Sequence, residues 1–301
     1  MNKIALITGA TGFIGGVLAR SLLKNGWSVA LVLRDGSDTS LIQDVLTEST
    51  MHLYDGLGET LVEIMTRVKP DVVFHLASLV LVEHETADIP SLISSNIIFG
   101  TQLLDAMVKA RVGNIVLAST LWQFSGKDER QAVNLYAATK QSFEVIVDYY
   151  HDAFGISAIS LILADTYGVG DKRPKLINFL IRSLGSPTEL SMSPGDQIVD
   201  ISHVQDVANS FELAALKLYE SSEAVRLSRA VCGTRLTVKQ LVAAVEKNGK
   251  GKINAVFGGR PYRTREILCP AKLPELEPDW KKVDLDEGIQ ELIKASLQAD
   301  L

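Results

Sequence analysis

The chain has 301 residues, 47% of them hydrophobic and 22% charged, with a formal net charge of −6. That composition is globular and excludes disordered, collagenous and coiled-coil chains, while the length allows one large or two modest domains. The acidic balance supplies no basic surface for nucleic acid or an anionic membrane.

Short apolar runs rich in β-branched residues alternate with segments of helical period. Strands buried on both faces are predicted at Ile4–Thr8, Ser28–Leu33, Asp71–Leu76, Asn114–Ala118 and Ser157–Leu163, with another at Met51–Tyr54. Helices are predicted at Phe13–Lys24, Leu41–Leu46, Thr60–Val68, Leu92–Ala110 and Val133–Ala153. This order implies an α/β fold, a Rossmann-type doubly wound parallel sheet with helices on both faces. After Asp165 the alternation fades into turns, with helices near Leu176–Leu184, His203–Tyr219, Val238–Lys247 and Leu285–Ala295. The expected organisation is a dinucleotide-binding domain over residues 1–165, with 196–220 packing back onto it, and a smaller mixed α/β C-terminal substrate lobe over 166–301.

Strand, glycine turn and helix join at Ile4–Leu22, where Gly9, Gly12 and Gly15 form Gly-x-x-Gly-x-x-Gly. Such a turn lets backbone approach a diphosphate, and the helix N-terminus offers free N–H groups to it. At the end of the second strand, where an acid would accept the ribose 2′-hydroxyl of NAD, stands Arg34, whose fork suits the 2′-phosphate of NADP. Tyr136 is the one tyrosine of seven with a lysine four residues on, Lys140, on the same face of a predicted helix. An ammonium there is expected to pull the phenol below its ordinary pKa, so that it can exchange a proton with a carbinol oxygen near neutral pH. Hydroxyls at Ser119 and Thr120 end the preceding strand.

The two cysteines, Cys232 and Cys269, have no partner at metal-ligand spacing, which excludes a disulfide scaffold and a zinc module and fits a reducing cytoplasm. The apolar start at Ile4–Ile7 is broken by glycines and followed by Arg20 and Lys24, unlike a signal peptide. No apolar run approaches the roughly 18 residues of a membrane span. His75 ends a buried strand and reads as a satisfied, partly buried side chain rather than a catalytic one.

These residues resemble the extended branch of the short-chain dehydrogenase/reductases, the nucleotide-sugar epimerase, dehydratase and reductase family. The likeness runs through Gly9–Gly15, Asp55, Asp71–Ser78 (DVVFHLAS), Asn96 with Thr101, Ser119-Thr120, Tyr136 and Lys140. It continues in Asp165–Gly170 (DTYGVG), His203–Ala208 (HVQDVA) and Gly258–Glu266 (GGRPYRTRE). It implies a catalytic set of Thr120, Tyr136 and Lys140. It implies cofactor contacts from Gly9, Thr11, Gly12, Phe13, Ile14, Gly15, Arg34, Asp55, Gly56, Leu76, Ala77, Ser78, Asn96, Leu163 and the catalytic pair Tyr136 and Lys140. Substrate contacts fall on Ser78, Thr120, Trp122, Asp165, Lys175 and Arg263; Lys172 and Arg173 belong to the same loop as Lys175, whose cations either face solvent or bind the diphosphate of the sugar nucleotide.

Departures narrow the expected reaction. Dehydratases of this family carry an Asp-Glu pair after the threonine, and epimerase-reductases a cysteine; here Leu121 and Trp122 follow Thr120. The stretch DTYGVGDKRPKLIN and the closing GGRPYRTRE are most similar to bacterial 4-ketoreductases that make CDP-3,6-dideoxyhexoses for O-antigen and other cell-surface glycans. The expectation is therefore NADPH-dependent reduction of a 4-keto sugar nucleotide by a homodimer. The alternatives are a 4-epimerase with tightly held NAD and a non-enzymatic dinucleotide sensor.

Overall fold

The apolar runs assemble into a seven-stranded, wholly parallel sheet in the computed structural model, which describes residues 2–126, 129–277 and 279–299. In chain order the strands are β1 (Ile4–Thr8), β2 (Ser28–Arg34), β3 (Thr50–Tyr54), β4 (Val72–His75), β5 (Asn114–Thr120) and β6 (Ser157–Leu163). Then come β7 (Asp165–Tyr167), β8 (Leu190–Met192), β9 (Ile198–His203), β10 (Arg226–Val231), β11 (Thr234–Thr237) and β12 (Ala255–Phe257). The helices are α1 (Phe13–Lys24), α2 (Gln43–Leu46), α3 (Gly58–Val68), α4 (Ile89–Ile93), α5 (Phe99–Ala110) and α6 (Leu135–Phe154). They continue with α7 (Leu176–Arg182), α8 (Val204–Glu220), α9 (Val238–Gly249) and α10 (Leu285–Ala299).

The large sheet has the order β10-β6-β5-β4-β1-β2-β3, the doubly wound Rossmann arrangement with one strand added at an edge. Alternate residues of each strand face opposite layers, so both faces must be apolar. Ala5 and Ile7 of β1 pack with Leu18, Leu22, Phe211 and Leu218 of α1 and α8, whereas Leu6 packs with Leu61, Leu103, Met107 and Phe143 of α3, α5 and α6. That two-sided burial is why these strands read as unbroken apolar runs. Growth of the sheet reverses between β1 and β4, and the crevice at the carboxyl ends of strands beside such a reversal is where open α/β sheets bind ligands.

Beyond β6 the chain builds a second core around Leu180, Leu241, Val245, Ile289 and Leu292, under a three-stranded sheet ordered β11-β9-β7 and the pair β12-β8. It also returns to the large layer: α8 packs on α1, and β10 pairs in parallel with β6. The sequence reading anticipates the helices of this half but not its strands. β7, β8 and β12 have three residues each, too few for a periodic signal.

The helix expected from Leu92 starts earlier, at Thr86, and continues to Ala110 through a wider π turn at Ser94–Ile98. Contrary to the sequence reading, this stretch is long and apolar enough to cross a membrane by length and composition. One face of it is core: Leu92, Leu103, Leu104 and Met107 are fully buried.

Candidate active site

At the carboxyl ends of β1, β4, β5 and β6 lies a cavity of about 330 Å³. The glycine turn supplies Gly9, Gly12, Phe13, Ile14 and Gly15; the segment after β4 supplies Leu76, Ser78 and Val80; and the end of β5 supplies Ser119, Thr120, Leu121 and Trp122. Tyr136 joins them from α6, and Leu163, Asp165, Arg173 and Lys175 from β6 and the loop beyond it. Asp200, Glu266, Ile267 and Pro270 close the far side.

The glycine turn is built for close approach. Gly9 has φ +78°, and a Cβ there would lie 2.5 Å from the Ala77 amide; a Cβ on Gly15 would overlap the Gly9 carbonyl oxygen. The turn therefore presses β1, α1 and the Leu76-Ala77 backbone together, and Thr11 rides on it. α1 starts at Phe13 with Gly12 as an N-cap that brings no side chain, and its first turn holds no acid. The N–H groups of Phe13, Ile14 and Gly15 have no protein acceptor among the described residues, and with the positive dipole end they face the cavity, which fits the diphosphate of a dinucleotide.

Asn96, in the π turn, is buried and fully engaged. Its Oδ1 accepts from Ser78 Oγ at 2.9 Å and the Leu79 amide at 2.8 Å, and its Nδ2 donates to Leu79 O and Thr139 Oγ1 at 2.9 and 3.0 Å. It fixes the Ser78-Leu79 loop against α6. A wider turn in the helix is what carries the amide inward there.

The N-terminal end of α6 is set by Asn134, whose Oδ1 accepts from the Ala137 amide at 2.9 Å. Tyr136 and Lys140 then follow one turn apart and both are buried. The Tyr136 ring stands edge-on to Trp122, with centroids 6.2 Å apart. The expected depression of the Tyr136 pKa is not found: burial pushes the phenol up to about 12, against hydrogen bonds with Thr120 and Ser78 and the charge of Arg173. The ammonium expected to act is itself weakened, since burial lowers Lys140 to about 8 against the pull of Glu144. In a dry pocket desolvation outweighs a single neighbouring charge, and spacing along a helix cannot report it.

His75 departs from the satisfied side chain expected. It is 1% exposed, its Nδ1 shares a hydrogen bond with Thr8 Oγ1 at 2.8 Å, and its Nε2 has no partner among the described residues. Burial, aided by the Lys140 charge, lowers its pKa to about 3, so the ring is neutral.

Of the two β5 hydroxyls, that of Thr120 lowers the phenol's pKa, and its Oγ1 accepts from the Trp122 amide at 3.2 Å; Ser119 Oγ accepts instead from buried Gln123 Nε2 at 2.9 Å. On the substrate side Lys175 Nζ is 2.6 Å from Asp165 Oδ1 and 5.9 Å from the Trp122 ring centroid. Arg34 is exposed at the carboxyl end of β2, outside the cavity walls, in a turn closed by Ser37 Oγ donating to its carbonyl at 2.8 Å. Asp55 and Gly56 also stand outside the walls: Asp55 Oδ1 accepts from Leu57 N and Thr60 Oγ1 at 3.0 and 2.7 Å, ordering the turn into α3. Arg263 is not among the cavity walls: its side chain is 64% exposed, with Nε 3.9 Å from the Oε2 of Glu266, which does line the cavity. Arg173, one of the loop cations the sequence reading offered either to solvent or to the sugar nucleotide's diphosphate, reaches the walls, as does Glu266, to which that reading gave no role. Both stand within stretches the family likeness covers, but nothing local distinguishes the side chain that turns inward.

A sheet with this topology, a glycine turn at its switch point and a Tyr-Lys pair beside it define a dinucleotide-dependent enzyme of the short-chain dehydrogenase/reductase kind. The NAD dependent epimerase/dehydratase family model matches residues 5–226, and the chain belongs to that family. The CDP-abequose synthase of Salmonella typhimurium is 27% identical over 98% of both chains. The UDP-glucose 4-epimerase of Corynebacterium glutamicum is 28% identical over 79% of this chain and 78% of its own. Among solved structures, the UDP-glucose 4-epimerase of Brucella ovis in complex with NAD superposes with a TM-score of 0.82 at 21% identity, covering 97% of this chain and 98% of that one.

Proposed function

We propose that the protein reduces the C4 keto group of a nucleotide-linked 4-keto-deoxysugar, the nucleotide being CDP, with NADPH. The carrying observation is the wall beside Thr120: Leu121 and Trp122 both line the cavity, and neither can move a carbon-bound proton or expel water. The full-length likeness to a CDP-abequose synthase supports the same reaction class. The bound dinucleotide supplies the hydride. Tyr136 gives its proton to the C4 oxygen, whose approach Thr120 guides with its hydroxyl. A phenol with a pKa of about 12 holds that proton until the oxygen takes on charge, and buried Lys140 lies one turn away to stabilise the phenolate left behind. Trp122 and Lys175 face the sugar nucleotide.

Arg34 is the ground for NADPH over NADH, although the comparison structure holds NAD. Arg34→Ala is expected to weaken NADPH by about 1 to 3 kcal/mol and leave NADH nearly unchanged in fluorescence titrations; equal losses would remove the preference. The reaction itself is tested with a panel of 4-keto sugar nucleotides in deuterated water. Consumption of one NADPH per product, with no enzyme-dependent deuterium at C3 or C5, is the expected result. Deuterium at either carbon would exclude simple reduction.

The second reading is a 4-epimerase, favoured by the likeness to the C. glutamicum enzyme. Purified protein carrying NAD and interconverting 4-hydroxy sugar nucleotides without added cofactor would establish it instead.

A further inference from the structure

The segment from Asp171 to Lys175 follows β7, and its Arg173 and Lys175 line the cavity. Its three cations have different surroundings. Lys172 is exposed and works on Asp38, in the loop after β2: that carboxyl is held below its ordinary range first by the backbone and hydroxyl of Ser40 and, at longer range, by the Lys172 ammonium. Lys175 is engaged with Asp165 beside Trp122. Arg173 lies between them. Its Nε and Nη2 donate to the Asp171 carboxylate at 2.7 and 2.9 Å, and Nη2 also donates to Thr166 O at 3.0 Å.

The Asp171 side chain is fully buried while that of Arg173 is 40% exposed, so the guanidinium is held from the buried side and keeps an open face. The two N–H groups of Nη1 have no protein partner among the described residues. The guanidinium carbon lies 5.0 Å from the ring centroid of Phe13, the first residue of α1, and Arg173 lines the cavity with Gly9, Gly12 and Gly15. A fixed cation with donors to spare thus stands over the uncapped end of α1, from the opposite lobe.

We infer that Arg173 is a positioning residue that clamps the dinucleotide's diphosphate against the N-terminus of α1. The inference rests on the dinucleotide reading of the cavity. The helix end contacts a diphosphate from one side only, and the guanidinium covers the other with charge-assisted donors. A sugar nucleotide carries the same diphosphate chemistry. Contact with Phe13 assigns Arg173 to the cofactor's, while Lys175, beside Trp122, faces the substrate.

The test is calorimetric titration of wild type, Arg173→Gln and Arg173→Lys with three probes: ADP-ribose, adenosine 2′-monophosphate and CDP. ADP-ribose has the diphosphate without the nicotinamide, and adenosine 2′-monophosphate has neither. Arg173→Gln is expected to weaken ADP-ribose by about ten- to a hundredfold and to leave the other two within about twofold. Unchanged ADP-ribose binding overturns the clamp, and a loss confined to CDP reassigns Arg173 to the substrate's diphosphate. Should Arg173→Gln lose all three probes through misfolding, Arg173→Lys decides: ADP-ribose weakened severalfold with the others intact supports the clamp, and all unchanged overturns it. Failure of wild type to bind ADP-ribose would instead refute the dinucleotide reading itself.

Discussion

At the scale of single residues, burial sets the chemistry of the Tyr136 and Lys140 pair. Tyr136→Phe keeps the ring against Trp122 and removes the proton, so kcat should fall by about 10² to 10⁴ with NADPH affinity unchanged. Turnover near wild type would take Tyr136 out of the reaction. Lys140 gives a pH signature in stability. Its folded pKa, about 8, lies below the ordinary 10.5, so between those values the unfolded chain binds more protons and stability rises with pH. Below pH 8 both states are protonated and the cost of burying the ammonium is at its full size. Lys140→Met should abolish the rise in denaturation midpoint between about pH 8 and about pH 9, where Tyr136 stays largely protonated in both states. An equal rise in both proteins would show that Lys140 is not buried as a charge.

At the scale of elements, the site depends on how the helices are joined to loops. The π turn between α4 and α5 swings Asn96 onto the loop after β4, and that loop presents Ser78 to the phenol of Tyr136. Asn96→Ala leaves the Leu79 amide and carbonyl without their partner, so it should cost about 2 to 3 kcal/mol of stability. It should also lower kcat by releasing Ser78. Chemical denaturation and steady-state kinetics on the same preparation check both, and a variant with wild-type stability would show that the loop holds itself. The glycine turn, in contrast, was legible from spacing alone, because its requirement is local: no Cβ fits where Gly9 and Gly15 meet their neighbours.

At the scale of the molecule, one face of α6 leaves Val145 and Tyr149 64% and 58% exposed, with Phe154 half exposed at its end. Ile98, the last residue of the π turn before α5, is also exposed. Apolar side chains one helical turn apart suit a second copy of the same face, as the family likeness implies for a homodimer. Val145→Glu combined with Tyr149→Glu should convert a dimeric mass to a monomeric one in light scattering, with the melting temperature of each subunit little changed. A monomeric wild type, or a variant that stays dimeric, would place the interface elsewhere or remove it.

The sequence by itself determined the parallel sheet, the glycine turn and the pairing of Tyr136 with Lys140, since each is encoded in a period or spacing within about twenty residues. It could not supply the short strands after β6, whose existence depends on partners distant in the chain: β9 pairs with β7 and β11, and β8 with β12. Nor could it tell that Arg173 lines the cleft while Arg263 stays outside its walls, or that Asp55 and Asn96 spend their polar atoms on ordering loops. The direction of the Tyr136 shift reversed for the same reason. Spacing reports which groups are neighbours along a helix, but only the packed structure decides how much water each has lost, and burial governs the charge.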